Sequence, residues 1–240
     1  MSLQRARVTA PLLDTDGTQG RRREPAEAAA SDGFWDAFYS SPHPELEHPS
    51  DFARFCLAHL APGSAVFELG CGNGRDAMYF ARMGLRVSAC DRSETAIQGL
   101  RDRVERETGL PHAPTLIATA FEQLGAVPPV DAVYSRFTLH AVLPDVASAA
   151  LDWSVRNLRA AGQLFVEARS VNGEPYGAGI PAGRDAFIQD GHYRRFLRRE
   201  ELEAEMENLG LEIRASVEGR SMAIFRNEDP VVLRIVAVKP

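Results

Sequence analysis

The sequence has few cysteines, no long apolar run and no strong excess of one charge. Its three cysteines, Cys56, Cys71 and Cys90, form no CxxC pair, which argues against a disulfide framework. No run approaches the roughly 18 apolar residues that cross a bilayer, and the N-terminal residues lack the apolar segment of a secretory signal. Lysine and arginine number 27 against 33 acidic residues, which argues against a partner held through its phosphates, such as nucleic acid. We therefore expect a cytoplasmic protein with reduced thiols that binds neither membrane nor nucleic acid.

The composition is that of an ordinary globular domain, with 45% hydrophobic and 25% charged residues in a chain of 240. Residues 1–31 show no sustained periodicity, so we predict a disordered N-terminal tail followed by one domain over residues 32–240. Residues 170–197 are rich in glycine and proline, and we predict there a long loop inserted on the substrate side.

Apolar strands alternate with helices from residue 65 onward. The predicted strands cover residues 65–69, 86–89, 115–119, 132–135, 163–168, 212–217 and 231–238. Repeated βα units with short links predict a doubly wound, mostly parallel α/β sheet covered on both faces. Before it, aromatic residues at helical spacing predict a short helix over residues 32–39, and Ser50 is predicted to cap a second helix.

A glycine-spaced turn follows the first strand directly, with the pattern E-x-G-x-G-x-G over residues 68–74. Glycines allow unusual backbone angles, and nucleotides bind beyond the carboxyl ends of such strands. A dinucleotide site requires G-x-G-x-x-G, but its last glycine position holds Arg75. The carboxylate of Glu68 also suits an ammonium ion better than a pyrophosphate. The pattern therefore favours a cationic nucleoside, while Asp91 after the second strand suits the ribose of either cofactor.

This pattern resembles the first motif of the class I S-adenosylmethionine (SAM)-dependent methyltransferases. Residues 75–97 are similar to the branch that contains the thiopurine and tellurite-resistance methyltransferases, and the resemblance extends over about residues 34–170. It implies a seven-stranded Rossmann-like sheet with an antiparallel C-terminal strand. It also implies SAM as the cofactor and a small molecule as the methyl acceptor.

The resemblance also implies which residues bind the cofactor. Glu68 would hold the ammonium group of SAM, Asp91 its ribose, and the helix with Trp35 and Tyr39 would close over it. Phe121 lies near the expected adenine position, although the aspartate that the family often has there is absent. The predicted cofactor-binding residues are Trp35, Tyr39, Glu68, Gly70, Cys71, Gly72, Asn73, Gly74, Asp91, Arg92, Ser93, Ala120, Phe121 and Ser135.

The segment after the fourth strand is expected to face both cofactor and acceptor. It lacks the N/D-P-P-Y/F element of enzymes that methylate nucleobase or glutamine nitrogens. His140 could remove a proton from the acceptor, or could have only a structural role. Arg136 could bind an acidic substrate group or the SAM carboxylate, or could form a salt bridge.

Basic and aromatic residues at the fifth strand and in the insertion resemble a bacterial subgroup of small-molecule methyltransferases. The predicted substrate-binding residues are Arg136, Arg169, Tyr176, His192, Tyr193 and Arg194. They predict an acceptor with a carboxylate or phosphate, whereas the alternative is a surface loop that neutralises nearby acids. The histidines and acids form no recognisable metal-ligand motif, so we predict metal independence. Two other functions remain open, a nicotinamide-dependent oxidoreductase and a non-catalytic SAM-binding protein, and the oligomeric state stays open as well.

Overall fold

One mixed sheet of seven strands organises the protein. A computed structural model describes residues 33–41 and 48–240, so the predicted tail over residues 1–31 lies outside the described residues. The described residues form ten strands, which are β1 (Ala65–Leu69), β2 (Arg86–Asp91), β3 (Thr115–Ala118), β4 (Val130–Arg136), β5 (Leu158–Arg169), β6 (Ile180–Pro181), β7 (Ala186–Gln189), β8 (His192–Arg195), β9 (Glu212–Gly219) and β10 (Val232–Val238). The large sheet has the order β3-β2-β1-β4-β5-β10-β9. Its first five strands pair in parallel, and β10 runs antiparallel to both of its neighbours. This order confirms the predicted fold class.

Six helices accompany the strands in the described part of the chain. They are α1 (Phe34–Tyr39), α2 (Asp51–Leu57), α3 (Arg75–Arg82), α4 (Glu94–Arg106), α5 (Pro144–Asn157) and α6 (Arg199–Asn208). Ser50 caps α2 as predicted, because its hydroxyl accepts the backbone N–H of Ala53 at 3.0 Å. None of these helices is long and apolar enough to cross a membrane.

The core lies on both faces of the large sheet. Alternate residues of β1 point to opposite faces, so Phe67 packs in one buried cluster and Val66 in the other. The first cluster includes α5 and α6, and the second includes α2 and α3. Helices on both faces are what a parallel sheet needs, since neither of its faces can remain in water.

The insertion differs from the prediction of a long irregular loop. Strands β6, β7 and β8 form a separate three-stranded antiparallel sheet. Tyr176, Phe187 and Phe196 pack there with ring centroids 5.5–6.1 Å apart. Gly191 has φ +81° in the turn between β7 and β8. Gly183 and Gly191 therefore lie in turns between short strands, and the aromatic cluster supplies a local core.

The fifth strand also begins earlier than predicted, at Leu158 instead of residue 163. The parallel pairing with β4 shifts register between Val130 and Ala132, so Leu158 pairs ahead of the regular ladder. Ala161 has a positive φ of 61° in this stretch. A sequence pattern gives no signal for such an irregular extension.

Candidate active site

A cavity of about 510 Å³ lies at the carboxyl ends of β1, β2, β4 and β5. This is the edge where an open α/β sheet binds its ligands. The predicted site residues in its wall are Trp35, Tyr39, Glu68, Gly70, Cys71, Asn73, Asp91, Arg92, Ala120, Phe121, Arg136, Arg169, His192, Tyr193 and Arg194. The structure thus brings the predicted cofactor and substrate residues together around one space.

Two of the motif glycines lie outside the cavity wall. Gly72 has φ +53°, and a Cβ atom there would collide with the hydroxyl of Tyr39. Gly74 has φ +74°, and a Cβ there would collide with Leu100 of α4. These glycines therefore make room for the protein's own side chains as well as supplying positive φ angles. Of the three predicted glycines, only Gly70 therefore lines the cavity.

Glu68 presents an unsatisfied carboxylate oxygen. The residue is only 4% exposed, and its Oε2 has no hydrogen-bond partner among the described residues. Burial raises the pKa of this carboxyl well above its ordinary value, and the nearby Asp76 and Asp91 add to the increase. An unpaired buried carboxylate costs free energy, so the site is suited to a cationic ligand.

Asp91 is fixed by the backbone at the end of β2. Its Oδ2 accepts the N–H of Gly72 at 2.8 Å, and its Oδ1 accepts the N–H of Ser93 at 2.9 Å. Burial raises the pKa of Asp91, and these two hydrogen bonds oppose the increase. Each carboxylate oxygen retains a second lone pair, so the fixed group can still accept the hydrogen bonds of a ribose diol.

Helix α1 forms one side of the cavity through its aromatic residues. Phe34 and Phe38 line the cavity beside the predicted Trp35 and Tyr39. The helix is held by Asp36, whose Oδ1 accepts the hydroxyl of Ser93 at 2.5 Å. Ser93, which was predicted to contact the cofactor, lies outside the wall and fixes this helix instead.

Asp36 also binds the first turn of α4, because its Oδ1 accepts the N–H of Thr95 at 3.2 Å. The hydrogen bond from Ser93 lowers the pKa of Asp36. A carboxylate at the N-terminus of a helix is favoured by the unpaired N–H groups there. The sequence showed the aromatic spacing of α1, but it gave no signal for this anchor.

Two arginines in the cavity wall have carboxylate partners. Arg136 forms an ion pair with Glu167, with 2.8 Å between Nε and Oε1. Arg169 donates from Nη2 to Oε2 of Glu228 at 2.9 Å, and its buried Nη1 has no hydrogen-bond partner among the described residues. The salt-bridge alternative for Arg136 is therefore realised, while Arg169 keeps a donor group unused.

Arg194 differs from these two arginines. Its side chain donates to Oε1 of Gln189 at 2.8 Å, and no carboxylate of the described chain lies within ion-pair distance. Burial lowers the pKa of Arg194 to about 10, and the nearby Arg169 adds to the decrease. A partly desolvated cation without an acidic partner favours an anionic ligand.

His192 joins this cationic side to helix α1. Its ring stacks on Phe34 with the centroids 4.3 Å apart, and its Nε2 lies 3.0 Å from Nη2 of Arg194. A guanidinium has only donors, so Nε2 accepts and the proton of the neutral ring is on Nδ1. Burial lowers the pKa of His192 to about 4, so the ring is neutral at physiological pH.

Three further predicted residues lie away from the cavity wall. His140 is buried, and its Nδ1 accepts the backbone N–H of Arg169 at 3.2 Å. Burial and the neighbouring Arg169 lower the pKa of His140 well below its ordinary value. This position supports a structural role for His140, because its ring nitrogen accepts a hydrogen bond from the last residue of β5. Tyr176 donates to Asp185 at 2.6 Å within the insertion, and Ser135 is buried outside the wall.

Several wall residues were missed by the sequence reasoning. Phe137 follows β4 with an unusual positive φ of 57°, and its ring lies 4.4 Å from Cζ of Arg136 and 5.6 Å from Cζ of Arg169. Ile224 and Glu228 belong to the segment between β9 and β10, which no motif marked. The described residues contain no group of three or more His, Cys, Asp or Glu side chains that could hold a metal ion, and metal independence stays a prediction.

Comparisons with known proteins agree with this architecture. Residues 66–162 match the family described as a methyltransferase domain. No curated protein sequence matches the chain. A SAM-dependent methyltransferase structure from Methanosarcina mazei is 16% identical, with a TM-score of 0.66 over 77% of this chain and 96% of that one.

Two other similar structures contain the demethylated cofactor, S-adenosylhomocysteine (SAH). The 1,6-didemethyltoxoflavin-N1-methyltransferase of Burkholderia thailandensis, solved with its namesake compound, is 20% identical, with a TM-score of 0.66 over 97% of this chain and 93% of that one. The magnesium protoporphyrin IX methyltransferase of Synechocystis PCC 6803 is 18% identical, with a TM-score of 0.59 over 79% of this chain and 80% of that one. These ligands agree with the prediction of SAM as the cofactor. The chain has the Rossmann-like fold of the SAM-dependent methyltransferases, and its residues 66–162 match their methyltransferase domain.

Proposed function

We propose that this protein binds SAM in the cavity and transfers its methyl group to a small-molecule acceptor. The observation that carries the proposal is the buried, unpartnered Oε2 of Glu68 at the glycine turn. A cationic ligand there would compensate the desolvated carboxylate. The fixed carboxylate of Asp91 would accept the ribose hydroxyls, and the aromatic side of α1 would cover the nucleoside.

SAM supplies a methyl group that its sulfonium already activates. The chain's own task is then to orient the acceptor and to exclude water. Helix α1, Phe137 and the segment with Ile224 line the same cavity as the acidic and basic residues. Orientation of two reactants can contribute up to about 7–11 kcal/mol to lowering a barrier. His140 is not needed for this task, because its Nδ1 is already bonded to the backbone.

The acceptor that fits the basic side carries a carboxylate or a phosphate group. Arg194 has no carboxylate partner in the described chain, and Nη1 of Arg169 is buried without a partner. An anion between them would receive charge-assisted hydrogen bonds. The similarity of residues 75–97 to the thiopurine and tellurite-resistance branch also supports a small acceptor. We further propose a cytoplasmic location, with the three free cysteines kept as thiols.

Titration calorimetry with SAH and NADH tests the cofactor. We expect SAH to bind and NADH not to bind, and Glu68→Gln to weaken SAH binding at least tenfold because it removes the negative charge. Glu105→Gln is the matched control, since it makes the same change on an exposed face of α4. Tight NADH binding, or equal SAH affinity in Glu68→Gln and wild type, would contradict the proposal.

Methyl transfer itself needs a separate test. The protein is incubated with deuterated SAM and a cell extract, and labelled products are detected by mass spectrometry. A labelled small acidic metabolite is the expected result. Binding of SAH without any labelled product would favour a non-catalytic SAM-binding protein.

A further inference from the structure

The carboxylates that neutralise the two paired arginines differ in how they are held. The side chain of Glu167 is 0% exposed, and it also accepts Nε of Arg234 at 2.6 Å. The side chain of Glu228 is 60% exposed, and within the described part of the chain its carboxylate makes a single hydrogen bond, to Arg169. Removing Glu167 from its partners would leave buried cations unpaired. The exposed carboxylate of Glu228 can itself turn into water, but the side chain of Arg169 is only 10% exposed and would then need another anion.

Glu228 lies at a tight turn at the mouth of the cavity. Phe225 and Glu228 exchange backbone hydrogen bonds of 3.0 and 2.9 Å, and Arg226 between them has a positive φ of 54°. The neighbouring Ile224, which also lines the cavity, is 66% exposed. The turn is thus a surface element, and the bond from Glu228 to Arg169 connects it to the wall of the cavity.

Glu228 acts on both of the arginines that would bind an acceptor anion. It is hydrogen-bonded to Arg169, and its charge also opposes the lowering of the pKa of Arg194. Arg169 still has its buried Nη1 unused on the same guanidinium. An anion that binds between Arg169 and Arg194 would therefore lie close to the carboxylate of Glu228. The two negative charges would repel each other.

We propose that Glu228 is a resident carboxylate that an anionic acceptor must displace from Arg169. This inference rests on the proposed function, because it concerns the acceptor side of the same cavity. Glu228 then sets the charge requirement of the site: a phosphate or a similarly strong anion displaces it, whereas a neutral compound leaves the ion pair in place. Glu228 acts on specificity and takes no part in methyl transfer itself.

Binding of inorganic phosphate, measured by calorimetry at constant ionic strength, tests this inference. The proteins compared are wild type, Glu228→Gln, Glu228→Ala and the matched control Glu105→Gln. Loss of the competing carboxylate is expected to tighten phosphate binding about 1.5- to fivefold in both Glu228 variants, the size of a partly exposed ion pair. The control is expected to bind phosphate as wild type does, and Arg194→Gln is expected to weaken binding in the Glu228→Gln background.

The affinity for SAH, measured in parallel, separates this inference from the proposed function. SAH binding is expected to be equal in wild type and the Glu228 variants. Unchanged, weaker or undetectable phosphate binding in the Glu228 variants, with SAH binding intact, overturns only the role of Glu228. Failure of the wild-type protein to bind SAH would overturn the proposed function.

Discussion

Replacement of Asp36 by alanine should weaken nucleoside binding while leaving the folded core intact. Asp36 holds α1 on the N-terminus of α4 through the hydroxyl of Ser93 and the N–H of Thr95. The aromatic residues of α1 form one side of the cavity, yet none of them is fully buried. The substitution therefore removes the anchor of a wall without removing any part of the core.

The expected loss follows from the two hydrogen bonds. A hydrogen bond to a charged group contributes about 1.5–3 kcal/mol, and the partial exposure of Asp36 reduces this to about 1–2 kcal/mol. If SAH binds only when α1 is docked, its apparent affinity falls with the docked fraction. The expected decrease is about 5- to 30-fold.

Calorimetry measures the loss of SAH affinity, and thermal melting of the unligated protein measures any loss of global stability. Detachment of α1 is a local opening, so the Tm should fall by less than the roughly 2–4 °C that 1 kcal/mol causes in a domain of this size. Asp36→Asn, which keeps an acceptor oxygen, should lie between wild type and Asp36→Ala. Asp51→Ala, in the first turn of α2, is the control for loss of an acidic side chain. An SAH affinity in Asp36→Ala equal to that of wild type would refute the reasoning.

Three further predictions concern Glu68, Tyr134 and Gly72. The raised pKa of Glu68 means that the folded state holds this proton more tightly than the unfolded chain, so stability should fall as pH rises above about 4.5. Urea unfolding should show unligated Glu68→Gln to be more stable than wild type at pH 8 and equal at pH 4; the reverse order would contradict this. Tyr134→Phe removes a buried hydrogen bond of 2.8 Å to Asp76 and should cost about 1–3 kcal/mol in guanidinium unfolding, and a loss below 0.5 kcal/mol would be too small for such a bond. Gly72→Ala should weaken SAH binding more than Gly84→Ala does, because both have positive φ but only the first displaces the tyrosine of α1; equal effects would disprove the steric argument.

The sequence predicted the large sheet well because its signals are local. Each strand of the first five is a short apolar run next to a turn or a helix, and parallel βα units leave few possible topologies. The prediction of a long loop over residues 170–197 was wrong because the strands there are only two to four residues long. Alternation over so few residues is not distinct from a loop, and the contacts of Tyr176 with Phe187 and Phe196 join positions far apart in sequence.

The structure brings predicted site residues together best where a motif fixes the position of the backbone. Glu68 and Asp91 end adjacent parallel strands, so they must lie at the same edge of the sheet. Arg194 could be proposed from its chemistry alone, because it belongs to a basic cluster in the insertion and a guanidinium suits an anionic group. Asp36 and Glu228 could not be predicted, because their roles depend on contacts 57 and 59 residues away in the chain. Such partners emerge only from the packed structure.

Charged side chains around the cavity are partly desolvated, and this costs free energy as long as no ligand compensates their charge. Glu68 and Asp91 lie on one side with carboxyl pKa values raised chiefly by burial, while Arg194 lies on the other with its pKa lowered chiefly by burial. Phe137, in contact with Arg136 and Arg169, is also part of the cavity wall. A cation bound at the acidic side and an anion bound at the basic side would each relieve a desolvation cost. Because bound cation and anion would also attract each other across a low-dielectric cavity, the proposed methyl donor, which is positively charged, and the proposed anionic acceptor would stabilise each other in adjacent positions.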